Sequence, residues 1–155
     1  MVRKHIGKIS TRKKDSHKGD YGKVLVVAGS PGMTGAAFLA SQGALTARSG
    51  LVTCAMPKSL NTIMEIKLTE VMTLPLPEGK GGLLGLKAKK PILDFAAKSD
   101  VVAIGPGLGV NDEVRKVVKE LLKKIACPVV LDADGLNALG SRIGAIRKRK
   151  AATVI

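Results

Sequence analysis

Three glycine-bearing segments have the composition of loops that could hold a phosphorylated ligand. They are AGSPGMTGA at 28–36, GPGLGVND at 105–112 and DADGLN at 132–137. Glycine has no side chain, so a bound group can approach the backbone closely. A loop that leads into a helix also offers free N–H groups to an anion. A tight turn is the alternative for any one of these loops, but the three together favour a ligand that carries phosphate.

Asp132 and Asp134 are the carboxylates that could act beside such a ligand. They follow an apolar run and are two residues apart, so in an extended strand they would share one side. We expect one of them to face the cleft and to bind a hydroxyl, a cation or a water molecule, with a capping or turn role as the alternative. His17 and its neighbour Lys18 are further candidates, because they lie in a basic, glycine-containing stretch at 15–22. A solvated surface histidine is the alternative there.

Other well-known sites are excluded by their missing motifs. The sequence has no G-x-x-x-x-G-K-[ST], no H-E-x-x-H and no G-x-S-x-G. GPGLGV lacks the third glycine of the dinucleotide fingerprint, because position 110 is Val. Cys54 and Cys127 have neither CxxC spacing nor a nearby histidine, so we interpret them as small core residues in a reducing cytosol. No metal-ligating set is predicted from the residues.

The loops need strands and helices to position them, and the hydrophobic pattern supplies both in alternation. Helices are predicted at 36–50, 58–68, 89–98 and 111–125, the last capped by Asn111 or Asp112, with a short helix and a basic turn in 136–150. Strands are predicted at 23–29, 51–57, 100–107, 127–135 and 151–155, with an extended segment at 70–78 and a flexible loop after it. Alternation of this kind predicts an α/β fold, a three-layer α/β/α sandwich whose sheet is mainly parallel. Ligands bind beyond the carboxyl ends of such strands, where the three loops converge.

Composition limits the partners. The 155 residues suit one domain, with a basic arm at 1–22 before it, and no run of about 18 apolar residues predicts a membrane span. No secretory leader is recognised either, so a cytoplasmic location is expected. The net charge of +14 makes nucleic acid an alternative partner, yet aromatic residues are only 2% and no nucleic-acid motif is present. A phosphorylated small molecule therefore fits better.

Five segments, taken in order, resemble the ADP/ATP-dependent NAD(P)H-hydrate dehydratases, a ribokinase-like family also labelled carbohydrate kinase. They are SHKGDYGKVLVVAGSPGMTGAAFLA, SGLVTCAMP, EVMTLPLPE, SDVVAIGPGLG and PVVLDADGLNAL, within residues 16–155. That family repairs hydrated nicotinamide cofactors in a lyase reaction. A phosphoryl group passes from ADP or ATP to the hydroxyl of the damaged ring, and loss of phosphate restores NAD(P)H. The resemblance implies hydrated NADH or NADPH as substrate, ADP or ATP with Mg²⁺ as phosphoryl donor, and an oligomer.

The resemblance also implies a set of substrate-binding residues. Two loops would line the hydrated-dinucleotide site and the third would form the floor of the cleft. The residues are Ala36, Ala37, Gly105, Pro106, Gly107, Leu108 and Gly109, with Asp132, Asp134 and Asn137 at the floor.

Two further motifs of the family do not occur in these 155 residues: a TPHPGE-type loop and a GTGD-type anion hole whose Asp acts as the base. We therefore expect 23–155 to form the N-terminal half of a ribokinase-like domain, truncated before the nucleotide site and the catalytic Asp. Such a half is expected to associate with itself or with a separate C-terminal half. Three alternatives stay open: a module that binds a dinucleotide or phosphorylated metabolite without turnover, a carbohydrate-type kinase of the same fold, and a nucleic-acid binder.

Overall fold

Strands and helices alternate along the chain, as the sequence predicts. The computed structural model describes Asp15, residues 17–141 and residues 144–155, and of Ala145 only the backbone. Most of the predicted arm at 1–22 therefore lies outside the described residues. Six strands are present in the described part: β1 Lys23–Val27, β2 Leu51–Pro57, β3 Met72–Leu76, β4 Val101–Ile104, β5 Val129–Leu131 and β6 Thr153–Val154.

All the strands pair in parallel in one sheet, in the order β3-β2-β1-β4-β5-β6. β1 is central because it pairs with β2 on one side and with β4 on the other. The segment predicted as extended at 70–78 forms the edge strand β3, and an edge is where a strand tolerates a proline such as Pro75. The mainly parallel α/β prediction is confirmed.

The helices cover both faces of the sheet and give the predicted three layers. They are α1 Thr34–Thr46, α2 Asn61–Lys67, α3 Lys89–Ala96, α4 Asp112–Lys124, α5 Asp134–Leu139 and α6 Gly144–Arg147, with short 3-10 turns between some of them. Alternate residues of each strand point to opposite faces. Leu25 and Val27 thus join the core under α3 and α4, whereas Val26 joins the core under α1 and α2.

Several predicted boundaries move. The helix predicted at 36–50 begins at Thr34 and ends at Thr46, because the backbone turns at Arg48 (φ +72°) and not at Gly50. The strand predicted at 127–135 ends at Leu131. Of the two candidate caps for α4, Asn111 is the one used: its Oδ1 accepts the Val114 N–H at 2.8 Å.

One end of the sheet face that carries α1 and α2 is exposed in the described structure. Val130 of β5 pairs with Val154 of β6, so the two side chains are neighbours on one face. They are 39% and 61% exposed, respectively. Ala103 of β4 lies beside Val130 on the same face. We call Ala103, Val130 and Val154 the open apolar strip.

No described helix has both the length and the apolar character that a membrane span requires.

Candidate functional site

The carboxyl ends of β1 and β4 lie side by side at the centre of the sheet, and we call the region between the loops that follow them the crevice. The chain leaves β1 through α1 towards β2 and leaves β4 through α4 towards β5, so the two connections diverge. Parallel sheets bind ligands at such a switch point. The loops bordering it are held together, since the Gly29 N–H donates to the Pro106 carbonyl at 2.9 Å and the fully buried Ser30 Oγ donates to the Gly107 carbonyl at 2.8 Å.

The glycines of the β4–α4 loop are explained by packing within the protein. Gly105, Gly107 and Gly109 have φ values of +134°, +66° and +68°, which side chains rarely allow. A Cβ at Gly107 would come within 2.9 Å of the Ala36 Cβ, and one at Gly109 within 2.9 Å of Leu83. At Gly105 it would overlap the Asp132 carbonyl. These glycines therefore let the loops of the site pack on one another. This agrees with the alternative interpretation of this loop, a tight turn without a ligand.

Two glycines near the start of α1 have free space beside them, in contrast to Gly29 at the end of β1, which packs against Ala37. A Cβ at Gly32 or Gly35 would meet nothing within 4 Å. The helix that follows has no side-chain cap and no acidic residue in its first turn. The Ala36 N–H donates to the Met33 carbonyl at 3.3 Å, so the N–H groups of Thr34 and Gly35 and the positive dipole end are the features available to an anion. The space and the donors coincide at the start of α1.

The start of α4 differs from that of α1. Its N-terminus is capped by Asn111 and carries Asp112 and Glu113 in the first turn. Both features satisfy the positive end of a helix without a ligand. The prediction that each of the three loops offers free helix N–H groups is therefore wrong for this loop.

Asp134 connects two of the loops. One carboxylate oxygen accepts the Gly109 N–H at 2.9 Å, and the other accepts the Asn137 side-chain amide at 3.1 Å. Asp134 opens α5, whereas Asp132 follows the end of β5 and is exposed. Between them Ala133 has φ +46°, so the chain is not extended here and the two carboxylates do not share a strand face as predicted. The side chain of Asp134 shapes the crevice floor, and that of Asp132 stays open to solvent.

The other predicted residues divide between the crevice, the core and the far edge. Ala36, in the first turn of α1, is half-buried beside Gly107, and Pro106 is half-buried in the next loop. Ala37 and Leu108 are 0% exposed and belong to the two cores, so their side chains do not reach a ligand.

His17 and Lys18 lie at the opposite edge of the sheet. The Lys18 carbonyl packs against Gly50, directly before β2, and the turn Lys18–Tyr21 leads into β1. Parallel strands begin at this edge, so the two residues are not brought together with the crevice. The His17 N–H donates to Asp20 Oδ2 at 2.8 Å, which gives this stretch a structural role.

The loop at 77–85 lies along one side of the crevice, and it includes the segment 79–85 that the sequence predicts to be flexible. Glu78 and Leu84 form an antiparallel bridge, and the Asn111 amide donates to the Lys80 carbonyl at 3.2 Å. A Cβ on Gly82 would come within 2.9 Å of Pro31, so the loop also touches the β1–α1 loop. The sequence feature that indicates this loop conformation is the Gly81–Gly82 pair, whose φ values of +74° and +69° allow the chain to reverse its direction.

The charge of Glu78 is stabilised where this loop begins. Hydrogen bonds from the side chain and backbone of Ser59, together with the positive charge of Lys58, lower the pKa of the Glu78 carboxyl. Across residues 15, 17–141 and 144–155, no group of three or more His, Cys, Asp or Glu side chains could hold a metal ion.

Comparison with known proteins gives consistent results. A family model described as NAD(P)H-hydrate dehydratase matches residues 24–155. The bifunctional NAD(P)H-hydrate repair enzyme of Moorella thermoacetica is 49% identical over 130 residues, which are 84% of this chain and 24% of that enzyme. The chain thus spans about a quarter of that relative's length.

Solved structures share the fold. A ribokinase-like superfamily protein of Enterococcus faecalis superposes with a TM-score of 0.72 at 19% identity, over 90% of this chain and 46% of that one. The ADP/ATP-dependent NAD(P)H-hydrate dehydratase of Bacillus subtilis, co-crystallised with ATP and Mg²⁺, gives a TM-score of 0.64 at 30% identity, over 86% of this chain and 45% of that one. The predicted ribokinase-like fold is confirmed.

Proposed function

We propose, because the chain belongs to the NAD(P)H-hydrate dehydratase family, that it supplies the dinucleotide-binding half of an enzyme that dehydrates hydrated NADH or NADPH. The observation that carries this proposal is the start of α1, where uncapped helix N–H groups and the open space at Gly32 and Gly35 coincide at the switch point of the sheet. A diphosphate is the anion that such a site accepts best in a dinucleotide. The Bacillus and Moorella relatives carry the corresponding names.

The residues of this chain would bind and orient the substrate in this scheme. The α1 N-terminus would hold the diphosphate, Ala36 and the backbone of 105–109 would border the dinucleotide, and Asp134 with Asn137 would keep the floor in place. The exposed Asp132 carboxylate is the group left to accept a hydrogen bond from a substrate hydroxyl. A cytoplasmic location belongs to the proposal, since Cys54 and Cys127 are free thiols, as in a reducing compartment.

ADP or ATP with Mg²⁺ would supply the phosphoryl group. The described residues contain no cluster of three or more potential ligands that could hold that metal without the nucleotide. No step through the nucleotide or the metal is therefore derived from this chain.

Binding at α1 can be tested with two glycine-to-glutamate substitutions on the same helix. Gly35→Glu places a carboxylate in the first turn of α1, whereas Gly43→Glu places one near its other end; neither Cβ meets anything within 4 Å. Both remove a helical glycine, so neither should lower stability through the backbone. We expect Gly35→Glu to weaken NADPH binding by about tenfold or more, and Gly43→Glu to leave it unchanged. Isothermal titration calorimetry measures both, and equal affinities of the two variants would contradict the proposed site.

The isolated chain is expected to bind without turnover. Both oxygens of Asp134 accept hydrogen bonds, and the GTGD-type motif whose Asp acts as the family's base does not occur in the sequence. We expect no recovery of NADPH from its hydrate when this chain is incubated with ADP or ATP, as followed by the absorbance of the reduced nicotinamide. A robust rate would show that a residue present here is the base, and would overturn this assignment of roles.

A further inference from the structure

A cavity lies at the amino-terminal edge of the sheet, opposite the crevice. It has a volume of about 890 Å³ and is bordered by the last turns of α4 and by residues 148–151, which lead into β6. The segment that enters β5 forms its floor at Ile125 and Ala126. Cavities of this size hold small molecules.

The charged side chains that line this cavity are all basic, and the rest of its surface is mainly apolar. Its charged residues are Lys119, Lys123, Lys124, Lys148, Arg149 and Lys150, and no acidic residue lines it. Lys124 pairs with Glu120 at 2.7 Å, but within the described part of the chain the other four lysines make no ion pair. Glu120 also attracts Lys123 without forming an ion pair with it, so most of the positive charge around the cavity remains unpaired.

Arg149 offsets the partial negative charge at the carboxyl end of α4, which would otherwise repel an anion here. The carboxyl end of a helix carries partial negative charge on its last carbonyls. The Arg149 guanidinium donates to the carbonyls of Leu122 at 2.6 Å and Ile125 at 2.9 Å, at the end of α4. The negative end of the helix is thus neutralised from inside, and the lysines remain for a ligand.

We propose that this basic cavity binds a polyphosphate, an anion with three or more linked phosphate groups. Four unpaired lysines suit several neighbouring charges better than one, and lysine is a usual phosphate-binding residue. A second copy of the chain would bring the same positive charge. A single strand of nucleic acid would lack stacking partners, since no aromatic residue lines the cavity. A concave site also fits a compact anion better than a flat membrane.

The test compares two triple variants that lose the same charge. The first variant removes three positive charges from the cavity lining by Lys123→Gln, Lys148→Gln and Lys150→Gln. The second removes three exposed positive charges elsewhere by Lys58→Gln, Lys67→Gln and Lys87→Gln. Isothermal titration calorimetry with tripolyphosphate should show binding weakened by about tenfold or more for the first variant, and by much less for the second. Circular dichroism of all variants checks that they fold alike.

Further measurements identify the ligand and the site. The comparison is repeated in a Gly35→Glu background, which blocks the anion site proposed at the start of α1, and binding at the basic cavity should persist there. ATP binding more tightly than tripolyphosphate would identify a nucleoside polyphosphate, and equal affinities an inorganic chain; both support the proposal. Equal weakening by the two triple variants, loss of binding in Gly35→Glu, or no binding to the unmodified chain would overturn it.

Discussion

At the scale of single residues, Asp134 holds the site together through two hydrogen bonds that its neighbour Asp132 does not make. Charge-assisted bonds to a backbone N–H are stronger than neutral ones. We expect Asp134→Ala to lower the free energy of unfolding by about 1.5–3 kcal/mol, since the Gly109 N–H and the Asn137 amide lose their acceptor. Asp132→Ala, at an exposed position, should change it by less than about 0.5 kcal/mol. Urea denaturation followed by circular dichroism measures both, and equal effects would contradict the role of Asp134.

The roles of some of these residues could be predicted from the local sequence, whereas others depend on the folded chain. Asn111 was a predictable cap because capping depends on a side chain and an N–H three residues apart. The separation of Asp132 from Asp134 was not predictable, because it depends on the φ of +46° at Ala133, a value that alanine rarely takes. Gly105, Gly107 and Gly109 were found by their composition, but only the packed loops show that protein atoms fill the space beside them.

At the scale of elements, Arg149 fastens the segment before β6 to the end of α4 and the entry to β5. Its guanidinium donates to the carbonyls of Leu122, Ile125 and Cys127 and to Thr153 Oγ1, at 2.6–3.0 Å. We expect Arg149→Met, which keeps the aliphatic stem, to lower the free energy of unfolding by about 2 kcal/mol or more. Arg147→Met, in the neighbouring exposed position of α6, should be close to neutral. Urea titration measures the free energy of unfolding of both variants. An unchanged value for Arg149→Met would contradict the proposed role of Arg149 in holding this segment.

Elements with a strong internal period were predictable, and those defined by long-range contacts were not. α4 repeats its apolar residues at threes and fours, and its predicted limits of 111–125 differ by one residue at each end from those observed. The loop at 77–85 has no such period. Its shape depends on Pro31, Gly109 and Asn111, which are distant in sequence, so a local pattern indicates only flexibility. The class of fold followed from alternation, whereas the place of β3 at the sheet edge needed the pairing itself.

At the scale of the whole molecule, the open apolar strip and the net charge of +14 act against each other. Apolar surface favours association and like charges oppose it. We expect the chain to self-associate at micromolar concentration, and more strongly as salt screens the charge. Light scattering after size-exclusion chromatography should show this, with Val130→Thr and Val154→Thr reducing the association and Ile66→Thr, on the exposed side of α2, leaving it unchanged. A monomer at every salt concentration would contradict the expectation.

The central place of β1 has a consequence for the order of events on the ribosome. β1 pairs with β2, which follows it closely, but its other partner β4 begins only at Val101. At a synthesis rate of roughly 5–20 residues per second, the 77 positions that separate Val24 from Val101 take about 4–15 s to make. Until then β1 has at least one unpaired edge, and the crevice cannot exist, because its second loop has not yet been made. The central strand is therefore made well before its pairing is complete.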